Sequence, residues 1–455
     1  MKKTLKKIEF AGKFLLRNKL VIFLLCCFIP DRLIRHKLRK KIFVIDNKKE
    51  LKYQLRVVEN SHKHNIKKLK NKETINIIFM VISNIGSSSN VLEPIYKKFK
   101  EDKRYNATIV IAPYTYFSND YMLETCEKTE RYLKDKGFNY INGYDKVNDT
   151  FVDVKKIINP DIVFFMMPYD YLSPEEFTIK NYLDTLTCYV PYSYMLANNM
   201  KHVLNTNLTN LVWKIFGDSA YHKTLLEKYA YNKGKNIAEF QGFTKVIDLL
   251  KKDEIHKDEW ARKQPLKIIW APHHSMGCYA NFPRFHNLFL EIAEKYKDKI
   301  QIAFRPHPVL KETLIKHKDW GKDRTEEYYR KWAELNNAFY HTGNYTDLFK
   351  TSDALILDSV SFIAEYMFTG KPMLFLNTKK PFGFNDFGKM VNKCCYNTDS
   401  KEGIINFIEE VLLLKKDIMK EKRKLFVKKY LTPPNEKTAS ENIYDYVKNE
   451  LKQGN

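Results

Sequence analysis

The stretch IQIAFRPHPVL, residues 300–310, carries two side chains that can hold an anion at the end of an apolar run. They are Arg305 and His307, whose guanidinium and imidazole groups suit a phosphate. Pro306 and Pro308 stand beside them, and because proline fixes φ and removes a donor, the run ends in a stiff loop. The loop alone is also compatible with an ordinary strand end that exposes an Arg and a His to solvent.

Polar side chains follow two further apolar runs, at His273, His274 and Ser275 and at Asp358, Ser359, Ser361 and Glu365. Taken singly, each is better explained by a solvated loop or an ordinary helix cap. Small hydroxyl residues that open a helix nevertheless present donors to an anion. Because the carboxyl ends of parallel strands meet at one edge of a sheet, the three loops together predict a site for a phosphate-bearing ligand. Glu365 is placed to accept ribose hydroxyls.

Apolar runs and amphipathic stretches alternate from residue 75, which is typical of a parallel sheet with crossover helices. A charged linker, residues 251–265, interrupts the alternation, which then restarts. We therefore predict an α/β protein with two doubly wound, Rossmann-like domains that face a cleft. The N-terminal domain is predicted at 71–250 and the C-terminal domain at 265–415, and helices at 416–455 are expected to pack back on the body.

The formal net charge is +24, and residues 1–70 contribute +16 of it. Within that basic segment lies the apolar run LVIFLLCCFIP, residues 20–30, which is shorter than the ~20 residues that span a bilayer. An apolar stretch flanked by Lys and Arg is typical of a segment that lies on an anionic membrane surface. We expect residues 1–70 to bind the cytoplasmic face of the cell membrane peripherally. A buried helix with a solvated basic face is the alternative, and no nucleic-acid partner is expected.

Neither a metal nor a cofactor is predicted. The seven cysteines are scattered and show no C-x-x-C spacing, so a zinc site or a disulfide framework is not expected. The D-x-D and H-E-x-x-H patterns of metal sites are missing, as is the G-x-S-x-G turn of serine hydrolases.

The segments FRPHPVL and SDALILDSVSFIAEYMFTGKPMLFL resemble the C-terminal half of the CDP-glycerol glycerophosphotransferases, which build teichoic-acid-like and capsular polymers. IIWAPHHS is similar to the segment that opens the same domain in that family. INPDIVFFMMPYD and LTCYVPYSYM look like parts of its N-terminal half. The resemblance covers roughly residues 75–430, with the motifs in the same order.

The resemblance implies a GT-B architecture, monotopic at the inner membrane. It also implies transfer of a polyol phosphate from a CDP-linked donor to a hydroxyl of a cell-surface glycan or polyol-phosphate polymer, with release of CMP. Arg305 and His307 are the residues expected to act on the leaving phosphate. The residues expected to bind the donor are His273, Ser275, Arg305, His307, Asp358, Ser359, Ser361 and Glu365.

The general base is left open by the sequence. The family carries a His–Gly–Thr–Pro segment where this chain has YVPYSYM, residues 189–195. Candidate bases are His273, His274, Tyr192 and Asp170. Two alternative functions also stay open: a GT-B glycosyltransferase that uses a CMP-sugar, and a non-catalytic relative in a capsule assembly complex.

Overall fold

A computed structural model describes ten segments of the chain: residues 32–83, 91–116, 118–198, 201–246, 258–260, 265–276, 281–343, 345–360, 362–378 and 383–452. They fall into two compact units, residues 1–60 and residues 61–455. The described part of the first unit belongs to helix α1 (Arg32–Lys70). The apolar run at 20–30 lies outside the described residues, and no described helix has the length and apolarity that a membrane span requires. The membrane association of residues 1–70 therefore stays a prediction.

The first half of the second unit is built around a six-stranded parallel sheet with the strand order β3-β2-β1-β6-β7-β8. β4 and β5 form a separate antiparallel pair. The strands are β1 (Ile75–Ile82), β2 (Tyr105–Ala112), β3 (Tyr140–Asn142), β4 (Tyr144–Asp145), β5 (Thr150–Phe151), β6 (Ile162–Phe165), β7 (Leu186–Tyr189) and β8 (Lys214–Ile215). The central strands are buried on both faces, which is why they read as continuous apolar runs.

Helices connect these strands and follow the last of them. They are α2 (Glu93–Glu101), α3 (Asn119–Asp135), α4 (Val154–Ile158), α5 (Lys201–Leu204), α6 (Asn207–Leu211) and α7 (His222–Tyr229), with 3₁₀ turns at Asp170–Leu172, Glu175–Phe177 and Ile179–Tyr182. The ends of α3 follow from local chemistry. The Ser118 side chain accepts a hydrogen bond from the backbone N–H of Tyr121, which caps the first turn. Gly137, just after the helix, has a φ of +66°, a conformation that glycine adopts without strain.

The second half of this unit repeats the plan with the strand order β11-β10-β9-β12-β13-β14. The strands are β9 (Leu266–Ala271), β10 (Ile300–Phe304), β11 (Ala338–Tyr340), β12 (Ala354–Leu357), β13 (Met373–Leu376) and β14 (Tyr396–Thr398). The helices are α8 (Phe282–Lys295), α9 (Leu310–Lys316), α10 (Gly321–Glu334), α11 (Tyr345–Thr351), α12 (Ile363–Tyr366), α13 (Asp386–Asn392) and α14 (Lys401–Asn406). Trp270 lies at the centre of the core, with its ring stacked 4.1 Å from that of Phe289.

Both sheets change winding direction once, between β1 and β6 in the first and between β9 and β12 in the second. In open parallel sheets, ligands bind at this point, outside the carboxyl ends of the strands. The predicted α/β fold with two doubly wound sheets is confirmed. The predicted domain ranges, 71–250 and 265–415, enclose the two sheets.

The C-terminal segment returns to the N-terminal sheet. It contains two π-helical segments, Phe407–Leu413 and Val427–Leu431. Helix α15 (Lys420–Phe426) lies between them, and helix α16 (Ala439–Glu450) follows them. α16 packs on α2, where the Tyr444 hydroxyl donates a 2.6 Å hydrogen bond to Asp102 Oδ2. The ring of Tyr444 also lies 5.2 Å from that of Phe99. The last helix thus covers part of the first sheet.

A short backbone bridge joins the two halves, between residues 195–198 after β7 and residues 383–385 after β13. Asn385 is its main contributor and is almost fully buried. Its backbone N–H donates to Leu196 O at 2.9 Å, and its side-chain Nδ2 donates to Met195 O at 2.7 Å. The bridge therefore fixes the YVPYSYM segment relative to the second sheet.

Candidate active site at the carboxyl edge of the second sheet

The loops after β9 and β10 are held together by backbone hydrogen bonds that continue the sheet. The N–H of Arg305 donates to Trp270 O at 2.8 Å, and the N–H of His307 donates to Pro272 O at 3.0 Å. These bonds bring the RPHP loop next to the loop that carries His273. The convergence that strand order predicts is therefore present at the point where the sheet reverses its winding.

His273, His274 and His307 form a compact cluster of imidazole rings. Ring centroids are 4.2 Å apart for His273 and His274, 4.5 Å for His274 and His307, and 5.6 Å for His273 and His307. Burial, and then the neighbouring His274, lowers the pKa of His273 to about 4. Burial, followed by the other two histidines and Arg305, lowers the pKa of His307 to about 3. Burial also lowers the pKa of His274. All three rings are consequently neutral at physiological pH.

Backbone hydrogen bonds set the tautomers of two of these rings. Ser275 N–H donates to Nδ1 of His273 at 3.1 Å, and Val309 N–H donates to Nδ1 of His307 at 3.3 Å. A neutral imidazole whose Nδ1 accepts a hydrogen bond carries its proton on Nε2. His273 and His307 therefore present an Nε2–H donor, which suits an anion and does not suit a general base.

Asp358 holds the loops of the site in place. Its carboxylate accepts hydrogen bonds from His273 N–H at 2.6 Å and from Asn281 N–H at 2.8 Å. Burial raises its pKa to about 6, and the two backbone donors limit that rise. Each carboxylate oxygen keeps a second lone pair, so the direct contact with the donor expected from the sequence stays a prediction. The two bonds in addition give Asp358 a positioning role.

The helix expected to open at Ser359 begins later, at Ile363, and is preceded by Phe362 as its N-cap. Ser359 lies in the turn before it and is 9% exposed, and Ser361 lies outside the described residues. The turn follows β12 directly, so Ser359 remains at the carboxyl edge of the sheet. Its contact with a donor phosphate stays a prediction.

Glu365 lies on α12 and is 3% exposed. Its Oε2 accepts a hydrogen bond from the hydroxyl of Tyr345 and lies 3.7 Å from the ammonium group of Lys245. That ammonium group also contacts the Tyr345 hydroxyl. Lys245 comes from the segment that follows the first sheet, so it links the two halves of the unit. A ribose that binds Glu365 would have to share the carboxylate with these two partners.

Arg305 lies near Tyr345 and is 9% exposed. Its Nη1 donates to His341 O at 3.3 Å, and its guanidinium carbon lies 6.0 Å from the centre of the Tyr345 ring. Burial lowers its pKa, yet an arginine remains a cation in proteins. Its Nε is buried and makes no hydrogen bond within the described part of the chain. The site thus contains a desolvated positive charge next to the imidazole cluster.

The other two candidate bases lie at the carboxyl edge of the first sheet. Asp170 follows β6, and its Oδ2 accepts a 2.8 Å hydrogen bond from Asn207 Nδ2. Burial raises the pKa of Asp170, which moves a carboxyl group toward the range useful for proton transfer. Tyr192 follows β7, and after burial it is the neighbour that most raises the pKa of Tyr169. The structure therefore divides the predicted bases between the two sheets.

A surface depression of about 870 Å³ lies away from this site, between α2 and α16 at the amino-terminal edge of β2. Its lysines pair with its own carboxylates, for example Lys98 with Glu441 at 3.4 Å and Lys437 with Asp445 at 2.7 Å. Paired surface ions of this kind are typical of helix packing. We therefore place the candidate site at the histidine cluster.

No group of three or more His, Cys, Asp or Glu side chains among the described residues is arranged to hold a metal ion. This statement includes the three imidazoles.

Lys245 and Tyr345 were missed by sequence reasoning, because they meet Glu365 only through the fold and no local pattern marks them.

Solved structures with a similar architecture include three that bear on the fold. The UDP complex of S. aureus MnaA is 12% identical, covers 84% of this chain and 98% of its own, and has a TM-score of 0.55. A variant of the wall teichoic acid polymerase TagF is 13% identical, covers 91% and 98%, and has a TM-score of 0.53. UDP-GlcNAc 2-epimerase from Neisseria meningitidis bound to UDP-GlcNAc is 14% identical, covers 83% and 99%, and has a TM-score of 0.51.

No family model and no curated protein matches the chain. At these sequence identities, likeness to solved structures shows the fold and nothing finer. Two parallel six-stranded sheets of the same strand order, with the coverage given above, identify the architecture as the GT-B fold that the sequence predicts.

Proposed function

We propose that the chain is a transferase that moves a polyol phosphate from a CDP-linked donor to a hydroxyl group of a cell-surface acceptor, releasing CMP. One observation carries the proposal: the Nε2–H donors of His273 and His307 and the buried cation of Arg305 lie together where the second sheet reverses its winding. Neutral donors and one fixed cation suit a pyrophosphate better than a carbohydrate or an apolar ligand. The sequence resemblance and the likeness to a teichoic acid polymerase support the same reaction class.

The reaction is an in-line displacement at the distal phosphorus of the donor. A bond forms between the acceptor oxygen and that phosphorus, and the bond from the phosphorus to the bridging oxygen breaks, so CMP leaves with the bridging oxygen. His307 Nε2–H donates to the departing phosphate and His273 Nε2–H to a second phosphate oxygen, while Arg305 stabilises the developing charge. Catalysis of this kind depends mainly on positioning and on fixed charge.

The proton of the acceptor hydroxyl needs a base, and we assign that role to Asp170. His273 is disfavoured because its Nδ1 is occupied and its Nε2 carries the proton. A phenol such as Tyr192 is a weak base at neutral pH. A carboxylate whose pKa is raised by burial is better matched to the task, and Asp170 lies at the carboxyl edge of the first sheet. His274 is the remaining alternative.

The test is release of CMP from CDP-glycerol and CDP-ribitol, with CMP-sialic acid and UDP-GlcNAc in parallel, in the presence of a membrane-derived glycan acceptor. Wild type is compared with His307→Ala and with His317→Ala. His317 is a matched control, because its Nδ1 also accepts the N–H of the residue two positions on, Asp319, at 3.3 Å. We expect acceptor-dependent release of CMP from a CDP-polyol that is lost in His307→Ala and retained in His317→Ala.

Other outcomes separate the alternatives. Turnover of a nucleotide sugar alone, without phosphorus in the product, would establish a glycosyltransferase and contradict the proposal. Binding of CMP without turnover of any donor would favour a non-catalytic member of an assembly complex.

A further inference from the structure

Six tyrosines line the carboxyl edge of the first sheet, on the loops after β2, β6 and β7 and at the start of α3. In order along this edge they are Tyr121, Tyr114, Tyr116, Tyr171, Tyr169 and Tyr192. Successive ring centroids from the first to the fifth are 6.0, 6.3, 5.7 and 5.7 Å apart, and the sixth tyrosine, Tyr192, is close enough to raise the pKa of the fifth, Tyr169. We call this set the tyrosine row.

Two members of the tyrosine row face solvent. Tyr116 is 57% exposed and Tyr171 is 65% exposed, whereas Tyr114 is buried below them at 7%. The loops that carry the two exposed rings are tied together, because Thr115 N–H donates to Leu172 O at 3.0 Å. Their rings are inclined by 58° to one another. The surface is therefore held in shape without a ligand, which lowers the entropic cost of binding one.

Among the described residues, the groups that act on the tyrosine row are phenols and carboxylates, and one lysine, Lys180, acts on the neighbouring Asp170. Burial raises the pKa of Tyr114, Tyr121, Tyr169 and Tyr171, and the neighbours that add to this rise are other tyrosines of the row and Glu124. A surface that consists mainly of phenols and carboxylates offers little attraction to a chain of phosphates, which calls for several Lys and Arg side chains. The face of a phenol ring carries partial negative charge, so it attracts the weakly positive C–H groups of a sugar ring.

We propose that the tyrosine row binds neutral pyranose rings of the acceptor glycan and leads them toward Asp170. The inference rests on the proposed function and narrows its acceptor from a glycan or a polyol-phosphate polymer to an uncharged glycan. Tyr116 and Tyr171 form the stacking surface, and the hydroxyls of the inner tyrosines are placed to bond sugar hydroxyls. Asp170 stands between Tyr169 and Tyr171 in the chain, so the proposed base is carried by the same loop as two members of the row.

The test measures binding by the full-length chain to three probes: an N-acetylglucosamine tetramer, maltotetraose and a short poly(glycerol phosphate). Calorimetry or saturation-transfer NMR gives each dissociation constant, and CMP binding is measured on the same samples. The variants are Tyr116→Ala/Tyr171→Ala and Tyr116→Phe/Tyr171→Phe. Tyr231→Ala is the control, because Tyr231 is also exposed, at 37%, and lies outside the row.

We expect at least one neutral tetramer to bind wild type, and the alanine pair to weaken it about tenfold, as the loss of stacked rings requires. The phenylalanine pair should stay within about threefold, because it keeps the rings. Tyr231→Ala should match wild type, and CMP binding should be the same in every variant.

Three results would overturn the inference: preferred binding of poly(glycerol phosphate), no binding of either neutral tetramer, or equal affinity of wild type and the alanine pair. If wild type binds CMP in the same experiment, the proposed function stands even though the inference fails. Loss of tetramer binding in the alanine pair, together with a wild type that binds no CMP, would support the tyrosine row and contradict the proposed donor.

Discussion

Gly388→Ala tests whether the bridge between the two sheets is needed for transfer. Gly388 lies in the first turn of α13, and a Cβ atom there would approach Leu196 O to less than 3.0 Å and Phe384 Cδ1 to 2.8 Å. One of these atoms is backbone, so the overlap cannot be relieved by rotating a side chain. The start of α13 must move away from the segment that follows β7.

The cost of that movement follows from the bonds it breaks. Asn385 would lose its hydrogen bonds to Leu196 O and Met195 O, each with a net contribution of about 1 kcal/mol. Because Asn385 is almost fully buried, groups left without partners add a further penalty. We expect the free energy of unfolding to fall by about 2–4 kcal/mol in total. Displacing the first sheet relative to the donor loops should also lower acceptor-dependent turnover, by about 100-fold for a shift near 1 Å.

The assays are urea unfolding and CMP release, with CMP binding as a third measurement. CMP affinity should be unchanged, because the histidine cluster is carried by other loops. Gly217→Ala is the matched control: it adds the same methyl group at a buried glycine whose nearest neighbour would be 3.4 Å away, an ordinary contact. If Gly388→Ala and Gly217→Ala have the same unfolding free energy and turnover, the bridge does not have the role described.

Three further predictions concern the site itself. His273 and His307 have pKa values of about 4 and about 3 in the free protein, and a bound phosphate favours imidazolium and therefore raises both. Nucleotide binding should take up protons and tighten as the pH falls toward 4; calorimetry in two buffers that shows proton release would contradict this. Asp358→Ala should lower the free energy of unfolding by about 2–5 kcal/mol, because two buried N–H groups lose their acceptor, and an unchanged urea midpoint would refute the positioning role. Lys245→Met should lower the free energy of unfolding by about 3 kcal/mol, because Glu365 is left buried without its cation, and the additional substitution Glu365→Gln should recover part of that loss. Fully additive effects of the two substitutions on the free energy of unfolding would show that the two side chains are not coupled.

The architecture was predictable because its signal is local. Each buried strand of a parallel sheet is a continuous apolar run, and the runs at Ile75–Ile82 and Ile300–Phe304 are clear examples. Strand-end loops converge by topology, so Arg305, His307 and His273 could be grouped without coordinates. The same reasoning predicts no detail of their hydrogen bonds.

What the sequence left open depends on distant partners. Asp358 meets the N–H groups of His273 and Asn281, which lie 85 and 77 positions away, so its positioning role cannot be predicted from a local pattern. Lys245 and Tyr345 are 100 positions apart. The tyrosine row is spread over four elements, so no window of the sequence contains it.

The packing of α16 on α2 has a consequence for the order in which the chain folds. Asp102 and Tyr444 are 342 positions apart, and Arg104 Nη1 donates to Leu451 O at 3.2 Å in the same region. During synthesis, α16 can therefore pack on the surface around Phe99 only after the whole second sheet has emerged from the ribosome. Contacts of such long range form late and slowly. The first sheet should consequently acquire its full stability only together with the second, so that the two halves mature as one cooperative body and not in sequence.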